Sequence, residues 1–429
     1  MMRRQRSPDL DEIAAGAVPA YRRNKMDRAS TSISISPRTL TLLAFLAFIS
    51  LGLPDTLLGV AWPSIRATFV RPISDLGQLL ACGAAGYLLS SFLGGEIVRR
   101  AGVGRLLIGS TLLVAIALVG IAAGPVWYVL LPCAFVSGLG AGAIDAGINT
   151  FAAARFSPRV VNWLHACWGI GASISPLIMT AVIAGGRTWR IGYAVVACVM
   201  AIMFILFLLT RDVWRIDSDS GDSGVAAERA ATIGQAIRRP IVQGQMLFYF
   251  LYGGVEAGAG SWLFTLLSES RGFSIAMAGT IVGAYWASLT IGRIAFGQAA
   301  ARISHLAVIR VGLLGALLAT VLLILRLPEA VTVAGALLLG FMLAPVFPTI
   351  ISDTPARVGA FYAPQAVGFQ VAGAAIGIAA IPGAIGVLAR RSSIEVLPIC
   401  LVIGMVLLVA LHEAIVAGVK RASTSAGRY

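Results

Sequence analysis

The chain has 429 residues, of which 58% are hydrophobic and only 12% charged, and its mean hydropathy is +0.88. A soluble domain carries about 25% charged residues, so an ordinary water-soluble globule is excluded. The net charge of +14 does not point to nucleic acid, because the basic residues sit between apolar runs rather than in one patch.

Residues 1–39 are polar and basic, lack an apolar core, and are expected to form a disordered cytoplasmic tail rather than a cleavable signal. Met26 is a possible alternative start within it. Apolar runs near membrane-spanning length then recur to the end of the chain. They predict an all-α polytopic membrane protein of twelve transmembrane helices, over 40–65, 75–98, 104–124, 127–154, 161–184, 190–211, 241–267, 275–299, 305–326, 329–352, 358–389 and 394–417. The segment 212–240, with its DSDSGDSG run, reads as a cytoplasmic linker between two six-helix bundles, 40–211 and 241–417; 418–429 reads as a cytoplasmic tail. Arg and Lys number 24 on the side of the termini and 8 on the other, so both termini are expected in the cytoplasm. All five cysteines fall inside spans, as small buried hydrophobes rather than disulfide or metal ligands. No cofactor signature and no P-loop is present, and the expected partners are protons, a small-molecule substrate and the lipid bilayer, with the chain acting as a monomer.

The halves repeat at an offset near 200 residues. LLSSFLGGEIVRRAG aligns with LTIGRIAFGQAAARIS, setting Gly95 on Gly297. Asp55 falls near Glu256, and Asn162 with His165 falls on Tyr362 with Gln365. In this register the counterpart of Asp145 is Pro345. Repeated halves of this kind build many secondary transporters, with substrate held at the midplane.

Three carboxylates lie deep within apolar spans: Asp55, Asp145 and Glu256. A charge at that depth costs several kcal/mol unless neutralised, paired or wetted. Asp145 and Asn149 are one turn apart on one face of the fourth span, after the small-residue run GLGAGA. Desolvation there disfavours the charged carboxylate, which suits proton uptake and release. Asp55 is placed for the same work, beside Gly52 and Pro54, which weaken the helix locally. The bland alternative for both is hydrogen bonding to neighbouring helices.

Tyr249, Tyr252 and Glu256 form one helical stripe suited to a hydroxyl-rich ligand or a cation, or else to a structural cluster. His165 is a candidate proton relay or hydroxyl partner, and the alternative is a packing histidine. Trp168, Trp262, Tyr285, Trp286, Phe369 and Gln370 offer stacking faces and an amide. Arg293, near the cytoplasmic end of the eighth span, reads as structural, paired with a carbonyl or a gate acid.

These stretches together resemble the major facilitator superfamily over residues 40 to 417. Its loop motif G-x-L-a-D-R-x-G-R-R is matched by Gly95, Arg99, Arg100, Gly102 and Arg105, with Arg99 replacing the usual acid and Glu96 nearby as a substitute. Within the superfamily the chain resembles the fucose–proton symporter branch. The matching residues are Asp55, the Gly140, Gly142, Asp145, Asn149 series, NWLHACWGIGASISP and GFMLAPVFPT. That resemblance implies proton-coupled transport of a small polar solute, a sugar, across a bacterial-type inner membrane. It also implies Asp145 as proton acceptor and Asp55 as the acid coupled to substrate. The competing readings are a proton-antiport exporter of drugs or metabolites, and a transporter-like sensor that moves nothing.

Overall fold

The computed structural model describes residues 36–214, 231–299, 302–325 and 328–426. The expected tail up to residue 35, most of the linker (215–230) and residues 427–429 lie outside the described residues.

The first half comprises α1 (Pro37–Thr68), α2 (Leu76–Ala101), α3 (Val103–Ala123), α4 (Trp127–Arg155), α5 (Pro158–Ala184) and α6 (Trp189–Leu209). The second comprises α7 (Pro240–Thr265), α8 (Ile275–Ala299), α9 (His305–Ile324), α10, α11 (Ala363–Arg391) and α12 (Val396–Ala426). Helix α10 is in two pieces, Glu329–Leu343 and Val346–Val358. Pro345 at the junction has no N–H to donate, and its ring crowds the carbonyl one turn back. No strand occurs among the described residues.

Helix α1 begins three residues before the expected 40. Ser36 caps it, its hydroxyl accepting from Thr39 N at 3.2 Å, and Pro37 occupies the first turn, where a missing N–H costs nothing. Among the described residues, eleven helices are long and apolar enough to cross a membrane. The expected span that falls outside this set is α7, and the reason is its cargo of Gln243, Gln245, Tyr249, Tyr252 and Glu256. A helix lining a polar cavity inside a bundle need not be apolar all round. Large apolar side chains such as Ile116, Ile202, Leu314 and Ile403 are more than half exposed. They cover the outer faces, as expected of a surface solvated by lipid.

Equivalent pairings recur in the two halves: α1 with α5 and α2 with α4, then α7 with α11 and α8 with α10. Across the halves α5 packs on α8, α2 on α11 and α1 on α7. These cross-contacts include the end remote from the chain termini. There a Cβ on Gly77 would lie 2.9 Å from Gly383 Cα, and one on Gly59 would lie 2.6 Å from Gly260 O. Arg66 and Glu269 form an ion pair across the same end at 2.6 Å. Towards the other end Asp55 and His165 are exposed although both lie well inside their helices. The two halves thus enclose a cavity that is shut at one end and wet at mid-depth.

Candidate functional site

Asp145 sits beside a close approach of α4 and α2. A methyl on Gly142 would strike Ser90 Oγ and the carbonyl of Tyr87, so only glycine allows this approach. The approach brings the Tyr87 hydroxyl to Asp145, donating to Oδ2 at 2.7 Å. Asn149, one turn along α4, donates from Nδ2 to Oδ1 at 2.8 Å. Both carboxylate oxygens are therefore satisfied by neutral donors, and among the described residues no cation forms an ion pair with Asp145. Protonation would remove an acceptor from this clasp and force one donor to turn elsewhere.

Asp55 on α1 accepts from Trp168 Nε1 of α5 at 3.0 Å. Gly52 makes this contact possible, since a methyl there would collide with Trp168 O, and Thr56 anchors the same pair of helices by donating to Ala172 O at 2.8 Å. The Trp168 ring in turn meets α8 of the other half. The Arg293 guanidinium lies 5.3 Å from its centroid, and Trp286 meets it edge-on at 6.0 Å. Arg293 Nε is buried without a hydrogen-bond partner. The expected carbonyl or gate acid is not its partner; an aromatic face is, because Trp168 fills the space between the halves.

Glu256 on α7 accepts from the Tyr252 hydroxyl at 2.5 Å. The same hydroxyl lies 3.1 Å from Leu343 O, at the break in α10, and Tyr249 donates to Phe347 O beyond the break at 2.7 Å. The tyrosine stripe therefore braces the interrupted helix as well as holding the carboxylate. Tyr285 is fully buried and donates to Glu256 O at 3.1 Å. Gln370 is also fully buried, donating to Gln245 Oε1 at 3.0 Å and Thr354 Oγ1 at 2.8 Å. Neither presents a free polar atom to the cavity here, a departure from their expected role as ligand contacts. The reason is that closely packed α7, α10 and α11 leave these groups only one another as partners.

His165 stands exposed beside Asp55's helix, edge-on to Phe48 at 5.3 Å, and within electrostatic reach of Asp145 and Arg293. Gln365 is half-buried, with Oε1 lacking a donor. The side chain of Asn162 lies outside the described residues. In the loop motif, Glu96 pairs with Arg99 at 2.5 Å and also with Arg100, so an acid one turn earlier does hold these cations. Gly95 and Gly297 both face open space, Gly102 takes φ +80° between α2 and α3, and Arg105 is exposed.

Two functional elements escaped sequence reasoning. Tyr87 is one, and its only signal was being the lone phenol in an apolar span. The Arg66–Glu269 pair is the other, since residues so far apart in sequence carry no local signature. The register also needs correction. Ser90 donates to Tyr87 O at 3.1 Å and Ser288 to Tyr285 O at 2.8 Å, and a Cβ on Gly142 or Gly340 would meet those same paired residues. The offset here is 198 residues, which sets Asp145 against Leu343 rather than Pro345.

The family model of the Major Facilitator Superfamily matches residues 40–382, and the chain belongs to that superfamily. Its apolar helices give it the multi-pass membrane plan of that family. Bypass of stop codon protein 6 of Saccharomyces cerevisiae is 22% identical over 58% of this chain and 54% of its own length. The glucose/mannose transporter GlcP of Bacillus subtilis is 20% identical over 61% of this chain and 66% of its own. The chain thus aligns with between half and two thirds of the length of these relatives. The crystal structure of nucleoside transporter NupG superposes with a TM-score of 0.70, at 14% identity, over 89% of this chain and 98% of that one. At that identity the likeness concerns the fold.

Proposed function

We propose that this protein moves a small hydroxylated solute, a sugar in the simplest case, together with protons by alternating access. The proposal places it in a cell inner membrane with both termini cytoplasmic, acting as a monomer. The observation that carries it is the Tyr87–Asp145–Asn149 clasp. A deep carboxylate held only by neutral donors can change charge without breaking an ion pair. Asp55, wet and joined through Trp168 to the opposite half, is the acid that feels both the solute and the closure. Glu256, Asn149, His165 and Gln365 supply polar contacts around it. The similarity to a glucose/mannose transporter supports the sugar, and the resemblance to the fucose–proton symporters supports the proton.

The test uses the full chain in proteoliposomes under a proton gradient. Asp145→Asn is expected to abolish uphill accumulation while leaving solute exchange intact. If that variant still concentrates solute, the coupling role of Asp145 is wrong. If the wild type expels cationic amphiphiles and exchanges no sugar, the exporter reading replaces this one.

A further inference from the structure

Arg293 is the cation that the first reading of the cavity leaves unused. It lies on α8 of the second half, partly buried, with its guanidinium against the Trp168 ring. Nε is buried and donates to nothing, and among the described residues no carboxylate forms an ion pair with Arg293. A guanidinium carries five donors and no acceptor. An aromatic face satisfies its charge in part but none of its N–H groups. Two turns earlier on the same face of α8, about 10 Å away, Trp286 packs on the same ring, and its Nε1 is a second buried donor without an acceptor. The Arg293 guanidinium faces Trp168, the tryptophan that also holds Asp55, so it stands beside the candidate solute contacts of the first half.

The three cavity acids have partners already. Asp145 is held by Tyr87 and Asn149, Asp55 by Trp168, and Glu256 by Tyr252. Among the charged groups of the cavity the unmet demand is thus for an acceptor, and the group that makes it is Arg293. We propose that the solute carries a single carboxylate as well as hydroxyls, so that it is a sugar acid whose carboxylate seats on Arg293 beside Trp168. A singly charged group fits better than a phosphate. The deep spans hold one guanidinium and three carboxylates, too little positive charge for a dianion. This rests on the transport reading above and narrows it. It also gives the proton a further purpose: an anion entering beside Asp55 is tolerated best when that acid is neutral, so anion and proton enter together.

The experiment is a thermal-shift and counterflow comparison on the purified full chain, with D-glucuronate, D-gluconate, D-glucose and D-glucose 6-phosphate as probes. The wild type is expected to bind a sugar acid at least tenfold more tightly than glucose, about 1.4 kcal/mol, and to ignore the phosphate. Arg293→Gln should weaken the sugar acids at least tenfold more than glucose, and Arg293→Lys should restore part of the preference. Equal binding of glucose and the two acids by the wild type overturns the proposal even if no variant folds. Equal loss of charged and neutral probes in Arg293→Gln also overturns it, and assigns Arg293 to closure of the halves. Both results leave proton-coupled sugar transport standing. That reading fails separately, if no probe is exchanged while a cationic amphiphile is.

Discussion

In the first half α4 runs unbroken from Trp127 to Arg155 and carries Asp145, while in the second its counterpart α10 stops at Leu343 and resumes at Val346. The same phenol serves both places. Tyr87 of α2 reaches a carboxylate side chain, whereas its equivalent Tyr285 of α8 reaches the backbone carbonyl of Glu256. At the position facing Asp145 in the repeat there is only Leu343, whose carbonyl takes a hydrogen bond from Tyr252. The duplicated plan has therefore been specialised. One half keeps a carboxylate on an unbroken helix, and the other has at the equivalent place a helix break braced by phenols.

The largest effect should come from removing the charge that distinguishes the first half. Asp145→Asn keeps an acceptor for Tyr87 and should reduce accumulation to simple equilibration, measured as the loss of uphill uptake. Next is the close approach behind it. Gly142→Val should lower stability by about 1–3 kcal/mol, read as a drop in melting temperature, because α2 cannot back away without leaving the bundle. If Gly142→Val were silent, the clasp would not depend on helix contact. Asp55→Asn should slow proton-driven uptake about tenfold, roughly 1.4 kcal/mol, with solute binding less affected.

The second half should respond differently. Glu256→Gln still accepts from Tyr252 and is expected to weaken solute binding by about 1.5 kcal/mol or less, with the proton gradient still driving uptake. An uncoupled Glu256→Gln alongside a coupled Asp145→Asn would reverse the assignment of the halves. The smallest effect belongs to the latch between them. Arg66 and Glu269 are each about a third exposed, so Arg66→Gln should shift the balance of states by only about 0.5 kcal/mol, seen as faster labelling of a cysteine placed near Gly77. No change in labelling would mean that the glycine contacts alone shut that end.

The helical, multi-span plan and its internal repeat were legible in the chain, since apolar runs must match the thickness of a bilayer whatever they pack against. The pairing of Asp145 with Asn149 was legible too, because a one-turn spacing fixes two side chains on one face. Helix α7 shows where composition falls short. Its polar residues pull it below the spanning criterion, yet they belong together once α10 and α11 are packed around them. Gln370 was legible as a polar group in a span and not as part of a closed network.

The sequence by itself determined what is local: span lengths, the side bearing most positive charge, the glycines of α4 and the carboxylates at mid-depth. Only the tertiary structure decided that Trp168 stands between Asp55 and Arg293, that Tyr87 answers Asp145, and that Arg66 and Glu269 meet across one end of the cavity. The physical reason is one of range. Hydropathy and helical periodicity act between residues a few positions apart, whereas each of these contacts joins residues 58 or more positions apart in the chain.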